Sequence, residues 1–230
     1  MKILLINCLL LCLLTSCSTD SDFNQIEVVD SSAEQSAITL KTPENRLNPF
    51  DKKGLIYFNA LNDYFLLNTA PNSIGEITNQ IKYLSSQIDK RSNTQKMVIV
   101  FNDSIVDAIM ADPDNSMIDI VQNSGLSVNA KNNLISFLQG LINHRELDFA
   151  ASYNYIVNYE GTIIEGTPFN DDETETILTI SSISRYSLYS ASERKDKDWD
   201  LSAGNKSTKK FFSSNESSIV FIIALLHNVL

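Results

Sequence analysis

Cysteine is missing from the chain after residue 17. The three cysteines, Cys8, Cys12 and Cys17, all lie within the first seventeen of 230 residues. The remainder therefore has no thiol for a disulfide bond, for covalent catalysis or for binding a metal. A domain of this size can bury a sizeable core without such cross-links.

Histidine and basic residues are also scarce. Either His144 or His227 would have to be the base of a Ser-His-Asp hydrolase. No Gly-x-Ser-x-Gly segment accompanies them, and Ser202, in Asp-Leu-Ser-Ala-Gly, lacks the first glycine. With 18 basic and 28 acidic residues, the formal charge is −10. An acidic body repels nucleic acid and anionic headgroups, so we expect neither as a partner.

No metal or phosphate motif is complete. Part of the oxygen spacing of a calcium loop is present at Asp112, Asp114, Ser116 and Asp119. Met117 stands where the loop needs glycine, and Asn123 where it needs glutamate, so we assign these residues to a turn and a helix cap. Residues 204–207 lack the upstream glycine of a phosphate loop. We therefore expect no metal and no cofactor.

Residues 1–16 have the composition of a secretory leader. Lys2 is a positive start, and residues 3–14 are apolar except for Asn7. Twelve residues suffice for the hydrophobic part of a leader but are too few to cross a bilayer as a helix. A later apolar run, residues 219–226, is also too short to cross.

The leader ends in Leu14-Thr15-Ser16-Cys17, which resembles the lipobox of bacterial lipoproteins at all four positions. The resemblance implies that residues 1–16 are removed and that Cys17 carries fatty acyl chains such as palmitate. Several chains, at about 0.8 kcal/mol per buried CH₂, hold a protein stably on a bilayer. We therefore predict a lipid anchor at Cys17. Loss of Lys2 with the leader changes the formal charge to −11.

Residues 17–49 are predicted to be a flexible polar tether. They bury too little apolar surface to offset the entropy cost of ordering. The segment after Cys17, Ser-Thr-Asp-Ser-Asp-Phe, resembles the acidic export signal of surface lipoproteins of the Bacteroidetes; an inert acidic linker is the alternative. Ser18 is not the aspartate that retains lipoproteins in the inner membrane. These features imply anchoring in the outer membrane, with exposure at the cell surface if the export signal is genuine.

From residue 50 onward, apolar residues recur at helical spacing. The clearest case begins at the capping box Ser73-Ile-Gly-Glu76 and continues to residue 88. Other helices are predicted over residues 54–68, 97–111 (or a strand at 97–101), 116–121, 127–142, 147–166, 170–188 and 219–229. We therefore predict a mostly α-helical domain over residues 50–230, with seven or eight helices.

Two segments leave alternatives open. Residues 153–164 fit a strand hairpin turned at Gly161 or a helix, and we prefer the helix because an isolated hairpin is marginally stable. Residues 192–214 are charged, rich in serine and lysine, and predicted to form a loop. The only tryptophan, Trp199, lies in this loop. It is either an exposed recognition anchor or folded back onto the core.

Two short segments resemble uncharacterised helical lipoproteins of the Bacteroidetes. The first is Asn48-Pro-Phe-Asp51 with the following Gly54, Asn59 and Leu61, and the second spans residues 176–187. The chain departs from the first pattern at Phe58, where the family has a histidine. The resemblance implies a helical fold and brings no activity with it.

The sequence has few catalytic motifs, and we expect the protein to be anchored in the outer membrane. Both points favour a non-enzymatic binding or assembly module at that membrane. Its partner would be a protein or a glycan. One alternative is a hydrolase of envelope polymers or glycans, whose two carboxylates are brought about 5–10 Å apart by folding. Another is an immunity lipoprotein that captures a toxin.

Overall fold

The computed structural model describes residues 42–89, 101–144, 147–166, 168–202 and 214–230. Within these ranges the chain has no β-strand and forms eight α-helices: α1 Asp51–Leu67, α2 Ile74–Asp89, α3 Asp103–Ala111, α4 Pro113–Gln122, α5 Val128–Asn143, α6 Phe149–Ile164, α7 Asp171–Ser202 and α8 Ser214–Val229. The prediction of a mostly α-helical domain with seven or eight helices is confirmed. None of the described helices has the length and apolar character needed to cross a membrane.

Helix α8 lies at the centre of the fold. Its residues 217–226 are all buried, and it packs against α2, α3, α4 and α7. A helix that is apolar on nearly every side has no face for water, so its burial follows from its sequence.

Helix α7 packs along α1 and α6 and joins them to α8. Its buried side carries several serines whose hydroxyl groups are satisfied by the backbone. Ser184 donates to the carbonyl of Ile180 at 2.9 Å, and Ser182 donates to that of Asp51 on α1 at 3.1 Å. Small, internally bonded side chains allow the neighbouring helices to approach closely.

Several helix starts are where local sequence predicts them. At α2, the Ser73 hydroxyl accepts the amide hydrogen of Glu76 at 3.3 Å. At α7, Asn170 and Glu173 each accept a hydrogen bond from the other's backbone amide, at 2.9 and 3.2 Å. Ser127 caps α5 by accepting the amide hydrogen of Ala130. These bonds satisfy amides that have no partner within the helix.

The helix predicted over residues 116–121, with its cap at Ser116, begins earlier than expected. Helix α4 begins at Pro113, and Asp112 is its N-cap, with its carboxylate accepting the amide hydrogen of Asn115 at 3.1 Å. Proline suits the first helical position because no amide hydrogen is needed there. Ser116 lies inside the helix, and its hydroxyl donates to the carbonyl of Ala108 at 3.3 Å.

The predicted loop over residues 192–214 is also wrong in its first part, because α7 continues to Ser202. Residues 193–196 are Glu, Arg, Lys and Asp. Glutamate, arginine and lysine are good helix formers, so a charged composition alone does not end a helix. Residues 203–213 lie outside the described part of the chain.

The helical interpretation of residues 153–164 is confirmed, since they lie within α6 and Gly161 makes no turn. The boundary between tether and domain is earlier than predicted. Asn45 and Asn48 are buried and bonded to Glu160 of α6, so the folded domain begins before residue 50. The leader, the tether as far as residue 41, and residues 97–100 lie outside the described residues.

Gln80 on α2 is fully buried, and neither polar atom of its side chain has a hydrogen-bond partner among the described residues. An unpaired buried amide costs about 1–3 kcal/mol. We expect Gln80→Met to raise the free energy of unfolding by about 1 kcal/mol, measured by urea denaturation, because methionine fills similar space without polar atoms. Gln87→Met, at a half-buried site on the same helix, should change it by less than about 0.5 kcal/mol. A loss of stability in Gln80→Met would contradict this expectation.

Candidate functional site

Arg185 of α7 is a fully buried cation held between two carboxylates. Its Nη2 lies 2.5 Å from Asp51 Oδ1 on α1 and 3.1 Å from Glu160 Oε1 on α6. Its Nη1 donates to the carbonyl of Pro43. A buried guanidinium is tolerated only when its donors find acceptors, so these contacts account for its position.

Glu160 is fully buried as well, and its carboxylate accepts five hydrogen bonds. Two come from Nε and Nη2 of Arg185. The other three come from Asn45 Nδ2 at 2.6 Å, Asn48 Nδ2 at 2.7 Å and Ser181 Oγ at 2.8 Å. An ionised carboxylate only accepts hydrogen bonds, and here every neighbour donates. The network therefore ties the segment before α1 to α6 and α7.

Two segments that are far apart in the chain, residues 48–61 and 176–187, meet in this network. Asn48 and Asp51 come from the first segment, and Ser181 and Arg185 from the second. Gly54, also in the first segment, lies against the second, because a Cβ there would meet Ser182 and Tyr186. These residues hold α1 on α7.

A cleft of about 630 Å³ opens beside the Asp51 end of the network, between α1, α7 and the segment before α1. This volume falls within the range of about 300–1,000 Å³ found for ligand pockets. The cleft is lined by Pro43, Glu44, Asp51, Leu55, Phe58, Asn62, Tyr186, Tyr189 and Glu193.

Three aromatic rings form one side of the cleft. The ring centroid of Phe58 lies 5.8 Å from that of Tyr186 and 5.8 Å from that of Tyr189. Tyr189 also contacts Phe149 of α6, with centroids 5.2 Å apart. Tilted pairs at these separations are favourable, so the rings support one another.

The carboxylates of the cleft are bonded to neighbouring phenols. Tyr186 donates its hydroxyl to Asp51 Oδ2 at 3.0 Å, and Tyr189 donates to Glu193 Oε1 at 2.7 Å. Burial and the Asp51 carboxylate raise the pKa of Tyr186. The hydrogen bond to Glu193, together with burial, raises the pKa of Tyr189 to about 12. Both phenols are therefore protonated donors at neutral pH.

Neither histidine lies in the cleft. His144 is the C-cap of α5; its Nδ1 lies 2.6 Å from the carbonyl oxygen of Gly140, and its ring stacks on Tyr155 at 4.5 Å. His227 packs against Phe101, with ring centroids 5.9 Å apart, and burial lowers its pKa. In these positions both histidines pack on aromatic rings.

The other predicted site residues are dispersed, and so are the neighbouring acidic residues at the start of α7. Asp171 and Asp172 lie exposed in the first turn of α7, as a helix start requires. The described residues contain no group of three acidic, histidine or cysteine side chains that could hold a metal ion. Ser202 is the last residue of α7, and Trp199 belongs to the same helix. The side chain of Trp199 is not among those that the structure describes. Cys17 and residues 204–207 also lie outside it.

Sequence reasoning missed Asp51, Glu160 and Arg185 as a group. One signal was present, because each of two predicted helices carries a charged residue on its apolar face. Glu160 follows Tyr153 and Ile156 on one face, and Arg185 shares a face with Leu178 and Leu188. Charge on an apolar face indicates a buried partner.

The chain was compared with protein-family models, with curated proteins and with solved structures, and none of them matches it.

Proposed function

We propose that this protein is an outer-membrane lipoprotein, anchored through acylated Cys17, whose helical domain is a non-enzymatic binding module. Its ligand site is the cleft between α1 and α7. The lipobox Leu14-Thr15-Ser16-Cys17 supports the anchor. One observation carries the choice of binding over hydrolysis: the carboxylates at the cleft are held by their neighbours.

A glycoside hydrolase needs one carboxyl group that delivers a proton and a second that attacks or activates water. At Asp51, Oδ1 accepts from Arg185 and from the backbone amide of Asn45, and Oδ2 accepts from Tyr186. One oxygen of Glu193 accepts from Tyr189. Carboxylates fixed in this way orient a ligand better than they transfer protons, because both oxygens of Asp51 and one oxygen of Glu193 already accept hydrogen bonds.

Replacing Cys17 should release the protein from membranes. Without the thiol no acyl chain is attached, so we expect Cys17→Ala to move most of the protein from the membrane pellet to the supernatant after cell fractionation. Cys12→Ala, in the leader, is the matched control and should remain in the pellet. Mass spectrometry of the wild-type N-terminal peptide should show acyl chains. Equal sedimentation of Cys17→Ala and wild type, or an N-terminus without lipid, would refute the anchor.

The binding role has a separate test. The purified mature chain is incubated with isolated envelope glycan, and newly formed reducing ends are measured. We expect no more release from wild type than from the double variant Asp51→Asn/Glu193→Gln. Release by wild type that the double variant loses would replace the binding function with hydrolysis.

A further inference from the structure

We infer that the cleft binds an alkylammonium group, and that its ligand is a peptide segment carrying a lysine side chain. This inference rests on the proposed binding function and names the ligand class. It follows from three properties of the cleft: the sign of its charge, its aromatic wall and its acceptor groups.

Among the described residues, the lining of the cleft has three carboxylates, from Glu44, Asp51 and Glu193, and no basic side chain. The nearest buried cation, Arg185, is shared between Asp51 and Glu160, so two carboxylates face a single guanidinium. Within the part of the chain that the structure describes, one negative charge of the network therefore has no partner cation. A cationic ligand would supply it.

Two other arginines near the cleft are already engaged. Arg46, whose side chain is 87% exposed, forms a surface pair with Glu44 at 3.1 Å. Arg194 lies over the ring of Phe65 at 4.4 Å and donates to Ser190 Oγ. A surface pair such as the first contributes little and is readily exchanged for another cation.

The aromatic wall points to the same ligand. Phe58 contacts both Tyr186 and Tyr189, and aromatic faces attract ammonium ions. The half-exposed Leu55 offers apolar surface on which the methylene stem of a lysine can pack. An acidic patch alone would lack both features.

The acceptors select a primary ammonium. Glu193 uses Oε1 for Tyr189, and the structure gives its Oε2 no partner among the described residues. A carboxylate oxygen accepts from N–H groups, of which a lysine ammonium has three and a quaternary ammonium has none. The volume of about 630 Å³ has room for the residues beside the lysine. A phospholipid headgroup with an amine also carries a phosphate, which this acidic lining would repel.

The test measures binding of the peptide acetyl-Ala-Lys-Ala-amide to the mature full-length chain in non-ionic detergent, by isothermal titration. The matched peptide with norleucine replaces the ammonium by a methyl group, and we expect it to bind at least tenfold more weakly. Glu193→Gln should weaken lysine-peptide binding about fivefold. Glu175→Gln, at an exposed carboxylate on the same helix, should leave it within twofold.

A second variant guards against misfolding of the first. Asn62→Lys places a positive charge at the exposed rim of the cleft and should abolish binding, whereas Asn62→Gln should not. Circular dichroism checks that each variant is folded. Equal binding of the norleucine peptide, or equal weakening by Glu175→Gln, would overturn the inference.

Two further ligands separate failure of this inference from failure of the proposed function. Tighter binding of phosphoethanolamine than of the lysine peptide would overturn the peptide assignment. Binding of a neutral oligosaccharide that shifts the NMR signals of Tyr189, without binding of the lysine peptide, would overturn the ammonium class but keep the cleft as the ligand site. If none of these ligands bound, the inference would be overturned, and it would no longer support the cleft as the ligand site.

Discussion

Arg185→Leu should lower the free energy of unfolding by about 3–5 kcal/mol, measured by urea denaturation. The change removes the guanidinium that lies between Glu160 and Asp51 and leaves a fully buried carboxylate without this charged partner. Leucine is as good a helix former as arginine, so helix propensity does not contribute. A loss of this size is a large fraction of the stability of an ordinary domain, about 5–15 kcal/mol.

Two comparisons make the Arg185 result specific. Lys53 Nζ lies 3.9 Å from Glu175 Oε1, and the two side chains are 44% and 49% exposed. Lys53→Leu should therefore lower the free energy of unfolding by less than about 1 kcal/mol. The double variant Arg185→Leu/Glu160→Leu should recover part of the loss, because no buried carboxylate remains on α6. A loss below about 1 kcal/mol for Arg185→Leu would show that the network does not stabilise the fold.

Gly54→Ala should lower the free energy of unfolding by about 1–3 kcal/mol and weaken ligand binding in the cleft. An added methyl group would meet the side chains of Ser182 and Tyr186, and it would lie 2.8 Å from the backbone carbonyl carbon of Ser182. The backbone of α7 cannot rotate away as a side chain can. Because Tyr186 lines the cleft, separating α1 from α7 also changes the shape of the proposed ligand site.

Gly161→Ala is the matched control for this close contact. Gly161 lies inside α6, and a Cβ there would have nothing within 4 Å. Alanine should therefore raise the free energy of unfolding by about 0.5–1 kcal/mol through helix propensity alone. If both variants were stabilised equally in thermal and urea denaturation, the proximity of α1 and α7 would not require glycine.

Features that depend on neighbouring residues were predictable from the sequence. The capping box at Ser73, the reciprocal cap formed by Asn170 and Glu173, and the burial of α8 all depend on local composition. The start of α4 at Pro113 was also predictable from the sequence. Asp112 is a common N-cap residue, and proline is common at the first helical position. The end of α7 was missed because its charged residues are compatible with both helix and loop.

The site depends on contacts between residues far apart in the chain. Arg185 is 134 positions from Asp51 and 25 positions from Glu160. Leu55 and Phe58, three positions apart, share one face of α1, but the helix that this region meets is set by packing at Gly54. Hydrophobic periodicity indicates which side of a helix is buried, but it does not indicate which other helix that side packs against. The cleft therefore became visible only when α1 and α7 were placed together.

The central position of α8 affects the order in which this domain can fold. It follows in the chain every helix on which it packs, namely α2, α3, α4 and α7. Until α8 has been synthesised, the apolar surfaces that those helices bury on it remain exposed to solvent. Early intermediates are then prone to association, and the step that completes the core requires closure of long chain loops. Completion of the core on α8 is therefore a late step in the formation of this domain.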